Sequence, residues 1–321
     1  MTLTQLEAFV LVARLGSVKA AARTLGVSEP AVSSALATLR QQLGDTLVER
    51  SSTGMVLTPG GRRLVPIASQ MVGLAVEAEA AIRQAQGAPE QLRIVATSEL
   101  AESVAPALVA VFTARAKATE VSVGVCATED MAAVLQERLA DVALGPRLAC
   151  DGFPPLECSP LFRFRLVFVA AAGHPLARFT NIEPPVLARE TWLVGPDATD
   201  PGTPVRHLLD RLDVPDDRIR VYASHAAALA DAELGRGVAP AIAHVVGGDP
   251  ERTGLVTLPV RGTPVHLLWH ITMLGADRRS LSAAAFRRFV GTPAATQAMH
   301  APQRGVPPSQ FRPPVHVTIW N

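Results

Sequence analysis

The sequence predicts an α/β fold with a small helical head, a long connecting helix and a body of two open lobes. Three observations predict it. Residues 17–44 carry two short amphipathic patterns broken by a tight turn, and residues 59–86 hold one helical pattern throughout. From Leu92 onward, short apolar strands alternate with amphipathic helices.

The head opens with a helix from about Thr4 to Arg14 that turns Leu6, Phe9, Val10 and Ala13 inward. Thr2/Gln5 and Thr4/Glu7 both have capping-box spacing, and Gly16 closes the helix. After the turn, Ser28 stands as N-cap of a further helix, with Val27 and Val32 at the two positions of a hydrophobic staple. Pro30 lies in the first turn, where its missing amide costs nothing. Val32, Leu36, Leu39 and Leu43 share one face, leaving Glu29, Ser33, Ser34, Ala37 and Arg40 outward. A polar outward helix of this kind fits a major groove, so the expected partner is double-stranded DNA. Glu29, Pro30, Ser33 and Ser34 are expected at base edges, and Lys19, Arg23 and Arg50 at phosphates. Ser28 and Thr58 are placed in the same interface. Residues 46–57 read as two short strands around a Ser/Gly turn, a wing beside that helix.

Thr58 and Pro59 open the long helix as N-cap and first helical residue. Leu64, Met71, Ala78 and Ala85 form one heptad row, and Ile67, Leu74 and Ala81 the other. A seam through Leu64, Ile67, Met71 and Leu74 predicts a homodimer; a helix packed on its own domain is the alternative. Pro66 removes one backbone hydrogen bond inside this helix, and Gly87-Ala88-Pro89 ends it as a hinge.

Charge points the same way. Up to Pro66 there are seven Lys/Arg against four acids, so the head is at +3 while the whole chain is at +1. So small a local excess neutralises few phosphates, and useful affinity needs at least two heads on one DNA. No run of about 18 apolar residues and no signal segment is read, which leads us to expect a cytoplasmic protein with no membrane partner. Cys126, Cys150 and Cys158 lack the spacing of a zinc site or a disulfide scaffold.

In the body, strands at 92–96, 121–125 and 141–144 enclose helices at about 99–114 and 131–138, a parallel β-α-β-α-β unit. A second such unit is read from strands near 166–170, 191–194, 220–222 and 238–243, with helices near 203–212 and 225–234. Ligands of open α/β sheets sit beyond the carboxyl ends of the strands. Those ends carry Thr97, Ser98, Thr128, Thr199 and His225, which suit a small polar or anionic effector; plain helix caps are the alternative for each hydroxyl. His266 and His270 have metal-like spacing only on a helix, whereas 265–274 alternates as a strand, and Gly235-Arg-Gly237 lacks the rest of a dinucleotide fingerprint. No metal, cofactor or catalytic constellation is expected.

These features together resemble the LysR-type transcriptional regulators. The head carries Ala20-Ala21-Ala22-x-x-Leu25, Ser28-x-Pro30-Ala31-Val32-Ser33, Leu43-Gly44, Leu47-Val48-Glu49-Arg50 and Leu57-Thr58-Pro59-x-Gly61. The body adds Leu139-Ala140-Asp141-Val142-Ala143-Leu144, His174-Pro175-Leu176-Ala177 and Gly235-x-Gly237-Val238-Ala239. The resemblance implies a winged helix-turn-helix, a linker-helix dimer, a two-lobed effector domain like the periplasmic binding proteins, and a homotetramer that bends DNA. Glu29 stands where the family commonly has Gln, and Thr53 where the wing tip often has Arg, which makes the base readout unusual.

The expected division is a DNA-binding domain at 1–58, a linker helix and hinge at 59–89, an effector domain at 90–290 and a Pro-rich disordered tail at 291–321. Within the effector domain, lobe I takes 90–163 and 268–290, and lobe II takes 164–267. The end of the tail, 315–320, alternates like a strand. Expected partners are DNA, a second copy, a small-molecule effector and RNA polymerase. A ligand-independent DNA-binding protein and an enzyme built on the lobes are the rival readings.

Overall fold

The computed structural model describes residues 1–51, 54–150, 152, 154–246 and 254–300. They fall into two compact units, one of residues 1–90 with 133–140, the other of residues 91–132 with the described residues from 141 onward. The wing-tip position Thr53 and the strand read at 315–320 lie outside the described residues.

The first unit begins with α1 (Leu3–Leu15), α2 (Val18–Leu25) and α3 (Glu29–Leu43). Of the two capping boxes read at the start, Thr2/Gln5 forms, with Thr2 Oγ1 accepting the Gln5 amide and Gln5 Oε1 accepting that of Thr2. Each helix ends in a left-handed glycine, Gly16, Gly26 and Gly44, a conformation that costs other residues steric strain. Phe9, Ala21, Val32, Leu36 and Leu39 pack into one core. Two expectations on α3 are corrected. Leu43 is 44% exposed because the last turn runs past this core, and Val27 is 47% exposed, so Ser28 caps α3 without a closed staple. Antiparallel β1 (Val48–Ser51) and β2 (Gly54–Leu57) form the wing. Arg40, read as outward, instead donates to the Val48 carbonyl at 3.1 Å and ties α3 to the wing.

Then α4 (Pro59–Ala85) runs as one helix with Pro66 inside it. Gly61 is required near its start, because a Cβ there would lie 2.1 Å from the Leu47 carbonyl oxygen. Leu64 and Val65 pack against the head core, while Ile67, Met71 and Leu74 are exposed. By length and composition α4 is long and apolar enough to cross a membrane, although no unbroken apolar run was read there. The heptad rows supply part of that apolarity, and Val65, Val72 and Val76 add to it from outside them.

In the second unit, β3 (Glu90–Ala96), β4 (Thr119–Val125) and β5 (Val142–Gly145) are joined by α5 (Ser98–Ser103), α6 (Ala105–Arg115) and α7 (Thr128–Gln136). The single helix expected after the first strand is two, because Pro106 lacks an amide and helix restarts after Val104. Next comes β6 (Leu156–Ala171), followed by α8 (Pro184–Leu187), β7 (Trp192–Val194), α9 (Pro204–Arg211), β8 (Ile219–Val221), α10 (His225–Glu233), β9 (Ala239–Ile242), α11 (Ala243–Val246) and β10 (Leu255–Thr257). The chain closes with β11 (Val265–Leu274), α12 (Leu281–Val290) and α13 (Pro293–His300).

The main sheet has the order β10-β6-β11-β5-β3-β4, with β9 on β6. β3 and β5 are parallel, as read. The second parallel unit is corrected at its first strand, since β6 is a 16-residue strand antiparallel to β9, β10 and β11. Among the described residues of that half, parallel pairing is confined to β7 with β8 and to bridges from Trp192 to Val238 and from Ile182 to Val260. Two of the cores gather around Phe112, Trp269 and Phe286 and around Phe168, Trp192 and Leu209, and a third cluster holds Val167, Leu193 and Ala228. The tail boundary at 291 is also corrected. α13 buries Ala295, Ala298 and Met299, and packs on the first of these cores through Ala295 and Met299.

Candidate DNA-binding face and effector cleft

Burial in the head separates two faces of α3. Val32, Leu36 and Leu39 are at most 2% exposed, whereas Glu29, Pro30, Ser33 and Ser34 all lie in solvent, as do Ser28, Lys19 and Arg23. Every residue expected at base edges is therefore accessible, and the two cations expected at phosphates on α2 are exposed as well. Thr58 is the exception within the predicted interface. Its hydroxyl accepts the Gly61 amide at 2.9 Å and donates to Asp45 Oδ1 at 2.8 Å, and the residue is 8% exposed. Thr58 is thus committed to capping α4 rather than presented to DNA. The Leu47 amide and the Thr58 hydroxyl on Asp45 also hold its carboxyl below the usual carboxylate range.

In the body, the residues predicted to line a cleft converge, but on the chain's own acids. The Ser98 and Glu99 amides donate to Asp197 Oδ1 and Oδ2 at 3.0 and 2.9 Å. The Thr128 amide donates to Asp200 Oδ2 at 2.7 Å, and the amides of His225 and Ala226 donate to Glu102 at 3.1 and 3.2 Å. The free amides at these helix starts therefore each meet a carboxylate, the partner their partial positive charge favours. Ser98 Oγ donates to Glu102 Oε1 at 3.2 Å. Thr97 is buried beside it, and its hydroxyl caps nothing. The Thr128 hydroxyl is buried without a hydrogen bond. Thr199 stands apart from this group: it is exposed, and its hydroxyl donates to the Pro196 carbonyl at 2.8 Å.

His225 Nε2 lies 3.3 Å from Asp197 Oδ2, in ion-pair range but off hydrogen-bond geometry. Burial opposes its charge, yet Asp197, Glu99 and Glu102 outweigh that cost and raise the imidazole to about 9. Glu99 moves in the same direction for the opposite reason. Its burial raises the carboxyl to about 7, with Asp197 and Glu102 adding to the effect and His225 reducing it. Two glycines make room for this packing: a Cβ on Gly195 would lie 2.5 Å from the His225 ring, and one on Gly202 would lie 2.7 Å from Thr128 Cβ.

Sequence reasoning missed the four acids Glu99, Glu102, Asp197 and Asp200. The available signal was the doubled spacing Glu99-x-x-Glu102 and Asp197-x-x-Asp200 directly after two strands. No group of three or more His, Cys, Asp or Glu suited to a metal occurs among the described residues. All three cysteines are free, and burial pushes the Cys126 thiol up to about 12, away from a reactive thiolate.

Comparisons with known proteins place both units. Residues 3–62 match the family model described as bacterial regulatory helix-turn-helix protein, lysR family, and residues 85–294 match the LysR substrate binding domain. An uncharacterized HTH-type transcriptional regulator of Mycobacterium tuberculosis is 34% identical over 325 residues, covering all of both chains. The HTH-type transcriptional regulator CfxR of Cupriavidus necator is 27% identical over 295 residues, covering 90% of this chain and 91% of that one. Among solved structures, the LysR family regulator CbnR matches with a TM-score of 0.62 and 19% identity, over 93% of this chain and 99% of that chain. The chain belongs to the LysR family of DNA-binding transcriptional regulators, with a helix-turn-helix head and an effector-binding body.

Proposed function

We propose that α3 enters the major groove, with Glu29, Pro30, Ser33 and Ser34 at base edges and Lys19, Arg23 and Arg50 on phosphates. The observation that carries this reading is the exposure of every one of those α3 residues while the opposite face of the helix is sealed. Two chains join along α4 through Ile67, Met71 and Leu74, with Leu64 shared between the seam and the head, and two such dimers assemble on one operator. The support is an apolar stripe left in solvent on one chain. The chain works in the cytoplasm, on the chromosome and beside RNA polymerase.

An effector bound near Thr97, Ser98, Thr128 and His225 acts on the contacts made by Asp197, Asp200 and Glu102. Only a ligand whose affinity differs between two arrangements of those contacts moves the protein between them. An anionic ligand at these amides has to displace a carboxylate already seated there. Footprinting the full chain on host DNA tests the reading. It predicts protection of four major-groove segments, two for each dimer, and protection of a single segment would refute the dimer.

A further inference from the structure

We propose that a cavity beside the Asp197–His225 contact binds a small amphipathic amine, its ammonium at Glu99 and its hydrocarbon along α10 and β9. The inference rests on the reading that the body holds an effector, and it names the chemical class of that effector.

The cavity encloses about 270 Å³, close to the lower end of ordinary ligand sites. Its walls are apolar, drawn from Leu229, Ala230, Pro240, Ile242, Val245 and Leu255. The polar side chains on it are Glu99, Glu102, His225, Ser103, whose hydroxyl donates to the Glu99 carbonyl, and, exposed at the end of α10, Glu233. Three carboxyls and one imidazole line the space, with no Lys or Arg among the described lining residues. Of these, Glu102 and His225 are already matched, and Glu233 lies in solvent. Glu102 accepts two amides and the Ser98 hydroxyl, and His225 faces Asp197.

Glu99 is the group left over. It is 7% exposed, and its carboxyl makes no hydrogen bond among the described residues, although it borders the cavity. A buried carboxyl without a partner is costly, and its raised titration to about 7 is the physical expression of that cost. A ligand ammonium supplies both the missing hydrogen bonds and the opposite charge. A ligand carboxylate would meet Glu99, Glu102 and Asp197 with only His225 in its favour. Excess negative charge at one end of an apolar space therefore selects an amine with a hydrocarbon tail.

Three probes of six carbons each decide the matter: n-hexylamine, 1-hexanol and hexanoate, titrated into the full chain and read by the fluorescence of buried Trp192 and Trp269. The proposal predicts that hexylamine binds at least about tenfold more tightly than hexanol, with hexanoate weakest. Glu99→Gln keeps the shape of the side chain and should erase the preference for amine over alcohol while leaving hexanol binding in place. Equal binding of hexanoate and hexylamine, an undiminished amine preference in Glu99→Gln, or no binding by any probe would each overturn it. A parallel titration of host DNA separates this claim from the effector reading. An amine bound in a Glu99-dependent way that leaves DNA affinity unchanged refutes the effector role and keeps the pocket chemistry, whereas hexanoate that binds and changes DNA affinity does the reverse.

Discussion

Asp197 reaches the backbone of Ser98, its Oδ1 accepting that amide at 3.0 Å while Oδ2 accepts the adjoining Glu99 amide at 2.9 Å. The carboxylate, 8% exposed, also faces His225. Asp197→Asn keeps one acceptor but loses the charge, so it should destabilise the body by about 1–3 kcal/mol. Denaturant unfolding followed by tryptophan fluorescence checks this, because Trp192 and Trp269 are both buried in that unit. A midpoint equal to the parent's would show that the contact contributes nothing.

The same cluster makes the stability of the body depend on pH. Glu99 titrates at about 7 against an ordinary 4.5, and His225 at about 9 against 6.5. Both hold their protons more tightly folded than unfolded. Their contributions are therefore complete below the unfolded values and are lost as pH rises through about 7 and then about 9. The melting temperature should fall between about pH 5 and 9, with Glu99 accounting for about 3 kcal/mol of the lower part. Glu99→Gln should flatten that lower part. A melting temperature that climbs over the same interval would contradict the assignment.

Thr58→Ala removes the cap of α4 together with the bond to Asp45, at a cost of about 1–2 kcal/mol. Because the hydroxyl is committed inside the head, the salt dependence of DNA binding should keep the parent slope. A slope reduced by about one would return Thr58 to the phosphate contacts.

Met71→Glu puts a charge on the exposed stripe of α4, where it is harmless in one chain and costly in a seam. Sedimentation should show a folded monomer, and DNA affinity should fall with the loss of the second head. A dimer of parent strength would remove Met71 from the interface.

The head was legible in detail because its signals are local. Ser28, Thr58, Gly16 and Gly44 each do what their type and position demand within a few residues. Arg40 was misplaced because helical phase puts it outward, while its long side chain bends back to a carbonyl on the wing, a contact that periodicity cannot see. In the body, β6 was only partly read because Pro160 breaks the pattern in its first half, although Phe162, Arg163, Phe164 and Arg165 alternate buried and exposed where β11 pairs with it. The proposed cleft is placed by its helix starts, whereas its acids carry no local signal of the same kind. Asp197 and Ser98 are about a hundred positions apart, so their pairing belongs to the tertiary fold rather than to any local pattern.

The central claim is that α3 reads DNA by sequence, with Glu29 at the base edges. Selection of bound sequences from a random DNA library, run on the parent and on Glu29→Gln, tests it most directly. The account predicts that the parent enriches a two-fold symmetric site, since paired heads impose their symmetry on the DNA. The variant should enrich a site altered at one position in each half, because glutamate accepts from cytosine while glutamine pairs with adenine. Enrichment of the same sequence by both proteins, or of no sequence by the parent, would contradict it.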